Sequence, residues 1–116
     1  MKFIMLTYES KEDFAARTDE AHKEQYWSGW MSFIQSMKDA GVLFYPGNVL
    51  QPPQTARTVR LIDGQVHSGE GAYGTDALHP LSGYFILDVA DAEEAARWAA
   101  LAPAAGRGAV EVRPVG

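Results

Sequence analysis

Three histidines, an aromatic-rich helix and a glycine-rich loop are where this chain could do chemistry. The histidines are His22, His67 and His79. An imidazole titrates near neutral pH and suits proton transfer. None is spaced from another ligand residue as a zinc-binding helix requires, so no metal site is expected. His22 falls in the first turn of a predicted helix and reads as solvent-facing. His67 ends a hairpin strand and reads as exposed. His79 stands beside Asp76 and Pro80 on the loop entering a central strand, so it can turn toward the sheet. For each histidine a surface or hydrogen-bonded role is the plainer reading. Were the chain an enzyme, His79 would be its acid or base, with Tyr73 or Asp76 assisting.

Tyr26, Trp27, Trp30, Phe33, Tyr45 and Tyr73 give a high aromatic density around one helix. Aromatic rings with polar tips make good walls for a small apolar or aromatic molecule. Tyr26, Trp30, Phe33 and Tyr45 are therefore the candidate ligand-binding residues. An aromatic stripe at helical spacing is ordinarily core or dimer interface. Gly69 to Gly74 spells G-x-G-x-x-G, but that motif needs a strand before it and a helix N-terminus after it to point amides at a pyrophosphate. Pro80 and a strand follow instead, so the stretch reads as a loop near a pocket mouth, and no cofactor is expected.

The global numbers narrow the class. A chain of 116 residues fits one domain, residues 1–116, small enough for a partner subunit to help it. Net charge is −5 and the basic residues never cluster, which argues against nucleic acid or an anionic membrane as partner. The absence of cysteine removes disulfides, thiolate metal sites and cysteine nucleophiles. No apolar run approaches membrane-spanning length and the start is too short for a signal-peptide core, so a cytoplasmic location is expected.

The elements that must position these residues follow from periodicity. Lys2 to Tyr8 (KFIMLTY) reads as the first strand. Glu9 to Arg17 reads as a charged connector with a helical turn around Phe14 and Ala15. Thr18 or Asp19 can cap a long helix from about Glu20 to Ala40, closed by Gly41. Its stripe is Tyr26, Trp30, Phe33 and Met37, widened by Trp27, Met31 and Ile34; Gly29 inside it costs roughly 1 kcal/mol relative to alanine. Val42 to Leu50 resumes as a strand that Pro46-Gly47 bulges or bends at an edge. Thr55 to Ile62 and Gln65 to Ser68 pair across the hairpin signal Asp63-Gly64. Tyr84 to Val89 is apolar on both parities, as expected for a strand covered on both faces. Asp91 caps a helix with Ala92, Ala95, Ala96 and Ala99 on a shallow face, Pro103 stops it, and Ala109 to Val115 is the last strand.

This order, βαβ, a β-hairpin insertion, then βαβ, points to an α+β ferredoxin-like sandwich with two helices on one face of an antiparallel sheet. Its other face has no helix to cover it, so a homodimer is expected.

MKFIMLTY at the start, Ala40 to Leu43, Leu50-Gln51-Pro52-Pro53, Asp63-Gly64, LSGYFILDV and the ending VEVRPV together resemble the YCII-related family, in its branch of small DGPF-type proteins. The resemblance covers nearly the whole chain. It implies a ferredoxin-like dimeric α+β barrel, and in the family a histidine and an aspartate have been taken to indicate enzyme activity. By spacing, the DGPF tetrapeptide falls on Gly71-Ala72-Tyr73-Gly74 and the histidine on Trp30, so neither member of that pair is carried over. Three readings follow: a homodimer binding a small-molecule ligand between the sheet and the long helix; an enzyme for proton abstraction, isomerisation or elimination on a small ring or carbonyl compound; and a structural or regulatory interaction module.

Overall fold

In the computed structural model, which describes residues 1–74 and 79–116, the first strand β1 (Lys2–Tyr8) alternates burial residue by residue. Phe3, Met5 and Thr7 point inward, and Ile4, Leu6 and Tyr8 point to the other face, the period of two that a pleated strand imposes. A short helix α1 (Lys11–Ala15) follows, capped by the Ser10 hydroxyl, which accepts from the Asp13 amide at 3.1 Å. The long helix α2 (Lys23–Asp39) begins later than its periodicity predicts. His22, not Thr18 or Asp19, occupies the N-cap, because residues 18–22 are spent on a turn in which Asp19 accepts from the His22 ring and the Ala21 amide.

Strands β2 (Leu43–Val49), β3 (Arg57–Ile62), β4 (Gln65–Glu70) and β5 (Leu81–Asp88) come next, then helix α3 (Ala92–Ala100) and strand β6 (Ala109–Pro114). Single turns of 3₁₀ helix at Pro53–Thr55 and Pro103–Ala105 occupy the proline-led connections. The main sheet runs β2-β5-β1-β6, every neighbouring pair antiparallel. That order is the ferredoxin-like arrangement expected of two βαβ halves. The inserted hairpin β3–β4 forms its own two-stranded sheet, turned by Asp63 and Gly64 at φ 51° and 78°, the paired positive values of a type I′ turn. β4 extends through Glu70, so the first two residues of the predicted loop belong to a strand.

Helices α2 and α3 cover one face of the main sheet. Trp30, Phe33 and Met37 from α2 meet Phe3, Met5, Phe85 and Leu87 from the sheet. From α3 the buried contributions are Ala95 and Ala99; Ala92 and Ala96, expected on the same face, are exposed because that shallow stripe spans only one side of a nine-residue helix. Ala95 is fully enclosed. Replacing it with leucine should overpack the contact and lower stability by about 1–3 kcal/mol; a urea midpoint equal to the parent's would place the helix face wrongly.

The opposite face of the main sheet bears Ile4, Leu6, Tyr8, Tyr45, Tyr84 and Ile86 with Glu111 and Arg113, and no described helix packs on it. Tyr45 and Tyr84 stack there with centroids 6.3 Å apart. None of the described helices is long and apolar enough to cross a membrane.

Candidate functional site

The inward alternation of β1 runs one residue past the strand. Phe3, Met5 and Thr7 are followed by Glu9, so a carboxylate lands on the same face as the core and is only 1% exposed. Its amide donates to the Pro80 carbonyl at 3.0 Å, which fixes the backbone against the segment entering β5. One carboxylate oxygen, Oε1, accepts from the Tyr26 hydroxyl at 2.5 Å and from Trp30 Nε1 at 3.1 Å. The other, Oε2, is buried without a hydrogen-bond partner.

Arg17 organises the far side of this group. Its guanidinium lies over the Phe14 ring, 4.0 Å from the centroid. Nε donates to the Tyr26 hydroxyl at 3.3 Å, Nη1 to the Leu50 carbonyl at 2.5 Å and Nη2 to the Ser82 carbonyl at 2.6 Å. Trp27 Nε1 donates to the Arg17 carbonyl at 3.1 Å, tying α2 to the turn that carries Arg17. Thr7 and Ser82 bond through their hydroxyls at 2.8 Å beside it. Burial, then the adjacent Glu9 carboxylate, push the Tyr26 phenol well above its usual range, so it stays protonated and a donor.

Concave surfaces surround the cluster. A narrow cleft of about 170 Å³ lies between α2 and the sheet, walled by Trp27, Trp30, Met31, Ile34 and Phe85, with Glu9 and Arg17 also in its lining. A wider cleft of about 580 Å³ is shared by Glu9, Asp13, Tyr26, Trp30 and Arg107. A third, of about 890 Å³, lies between α1, Gln51 to Gln54 and the end of β4, and includes Glu70, Gly71 and Ala72. The Arg107 guanidinium pairs with Glu12 and Asp13 at the rim of the wider cleft, so those carboxylates are already matched. Among the described residues no group of three or more His, Asp or Glu could hold a metal ion.

Of the residues expected to bind a ligand, Tyr26 and Trp30 line the narrow cleft. Phe33 is buried behind them, edge-on to Trp30 and Phe85. Tyr45 lies on the opposite face of the sheet, because a register shift between Leu43 and Tyr45 sets it against Ile86. Tyr73 is 73% exposed, and His79 is partly buried ahead of β5. Neither lines these clefts, and Asp76 lies outside the described residues. His22 borders the wider cleft, where its bond to Asp19 holds that carboxyl below the usual range. Sequence reasoning missed Glu9 and Arg17, assigned to a charged connector. The available signal was the unbroken alternation from Phe3 to Glu9.

These features define a ferredoxin-like α+β domain with a cleft between its sheet and its long helix. The chain belongs to the YCII-related family, whose domain model matches residues 1–116. No curated protein matches it. Trp30 is a core residue and a hydrogen-bond donor to Glu9.

Proposed function

We propose that this YCII-related chain binds a small apolar or aromatic molecule in the narrow cleft between α2 and the main sheet, and does so as a homodimer. The observation that carries the reading is the cleft itself: five of its walls are Trp27, Trp30, Met31, Ile34 and Phe85. An apolar void of roughly 150 Å³ is enough to hold a single benzene ring, and this half-open cleft offers about 170 Å³. Dimerisation is supported by the opposite sheet face, where Ile4, Leu6, Tyr84 and Ile86 form an apolar strip with no described helix over it. Proton transfer by His79 with Tyr73 or Asp76 is the alternative; the exposure of Tyr73 favours binding over that chemistry.

The test is a titration with fluorobenzene, following the indole N–H resonances of Trp27 and Trp30 by NMR. Saturable shifts at both indoles are expected. Shifts that are absent, or that grow linearly to the solubility limit, would remove the binding site. Light scattering tests the assembly: a mass of 12.7 kDa at micromolar concentration, that of one chain, would rule out the dimer.

A further inference from the structure

We infer that Glu9 is the polar anchor of the narrow cleft, and that the molecule bound there carries an O–H or N–H donor on its ring, given to Glu9 Oε2. This rests on the ring-binding reading above and names its ligand class. The starting observation is an imbalance within one carboxylate. Oε1 accepts two hydrogen bonds, from Tyr26 and Trp30, while Oε2 is buried with none. An unmatched buried acceptor keeps its full desolvation cost, and native structures seldom leave one unused.

None of the hydrogen bonds that the surrounding polar groups make reaches Oε2. Arg17 spends Nε on Tyr26, Nη1 on the Leu50 carbonyl and Nη2 on the Ser82 carbonyl. Tyr26 accepts from Arg17 and so turns its own proton to Oε1. The Thr7 and Ser82 hydroxyls are occupied with each other and with the Gly83 and Thr7 carbonyls. The chain of donors from Arg17 through Tyr26 ends on Oε1 and fixes Glu9 as an acceptor. Glu9 belongs to the lining of the narrow cleft while Oε2 itself is buried, so a ligand meets that acceptor by parting the side chains over it. A ring without a donor leaves Oε2 unmatched; a phenol or ring amine satisfies it while its carbon frame lies against Trp27, Trp30 and Phe85.

Phenol and toluene have nearly the same shape and differ in the donor, so the experiment measures both against the full-length protein and its Glu9→Gln variant. Glutamine keeps the acceptor for Tyr26 and Trp30 but replaces the free oxygen with an amide that donates. Phenol affinity is expected to fall about tenfold or more in Glu9→Gln, as for loss of a hydrogen bond to a charged group, with toluene affinity changing little. Equal responses of the two probes would overturn the assignment and are the result expected if ordered water stays on Oε2. Should Glu9→Gln fail to fold, the carbon-labelled Glu9 carboxyl of the unmodified protein gives the answer. Phenol must shift that resonance and toluene must not, and identical shifts overturn the inference. If neither probe binds the unmodified protein, the ring-binding reading itself fails; if toluene binds and phenol is indifferent to Glu9→Gln, only the anchor is lost.

Discussion

Replacing Trp30 with alanine is expected to cost about 3–5 kcal/mol, the range for deleting a large buried aromatic side chain. Trp30 stacks on Phe85 with centroids 6.0 Å apart and meets Phe33 edge-on at 5.9 Å. The truncation therefore removes contacts to both the sheet and its own helix, and opens a void beside Phe33 and Phe85. It also withdraws one of the two donors to Glu9 Oε1, leaving a buried carboxylate held by Tyr26 alone. Domains of this size are stable by only about 5–15 kcal/mol, so the loss is a large share of the total. Trp30→Phe separates the two contributions: it keeps most of the ring area and deletes the N–H, with an expected cost nearer 1–3 kcal/mol. Urea unfolding at neutral pH measures both. A Trp30→Ala variant losing less than about 1 kcal/mol would mean that the aromatic layer is not packed as described.

How much was legible in the sequence follows from which signals were local. β1, the Asp63-Gly64 hairpin and α3 behind Asp91 were readable because alternation, turn chemistry and capping act within a few residues. The start of α2 was less so: Asp19 is a good cap by type, but it bonds His22 in a preceding turn, and only the tertiary path of the chain decides between the two. Family membership came from motifs spread over the whole length, and the ferredoxin-like chain fold it implies agrees with the strand order. The site was read in part. Tyr26 and Trp30 were found from helical spacing, whereas Tyr45 was misplaced because a bulge breaks the parity that assigns a face. Glu9 was hidden by its type: a charged residue after a strand is ordinarily solvated. Its burial depends on Tyr26, Trp30 and Pro80, which lie far along the chain.

Gly47→Ala is expected to be the most damaging of the single-methyl additions to the edge of the main sheet. At this position β2 crosses β5 so closely that an added Cβ would lie 1.5 Å from the Tyr84 carbonyl oxygen. The atom it meets is backbone in a paired strand, not the end of a flexible side chain, so the strands themselves must part. Gly47 also has φ +68°, a left-handed conformation that alanine adopts only at a cost. Overpacking contributes about 1–3 kcal/mol and the backbone conformation about 1–2 kcal/mol, so a loss of roughly 3 kcal/mol is expected. Gly41 supplies the control: its φ is +71° but nothing lies within 4 Å of an added Cβ. Gly41→Ala should therefore show the conformational penalty alone. Because Pro46, Gly47, Asn48 and Val49 also line the narrow cleft, displacement of β2 should weaken fluorobenzene binding in the Gly47 variant and not in the Gly41 variant. Denaturation midpoints that fall equally for the two variants would show that the β2–β5 crossing is looser than this geometry, and that the bulge is not what closes that side of the cleft.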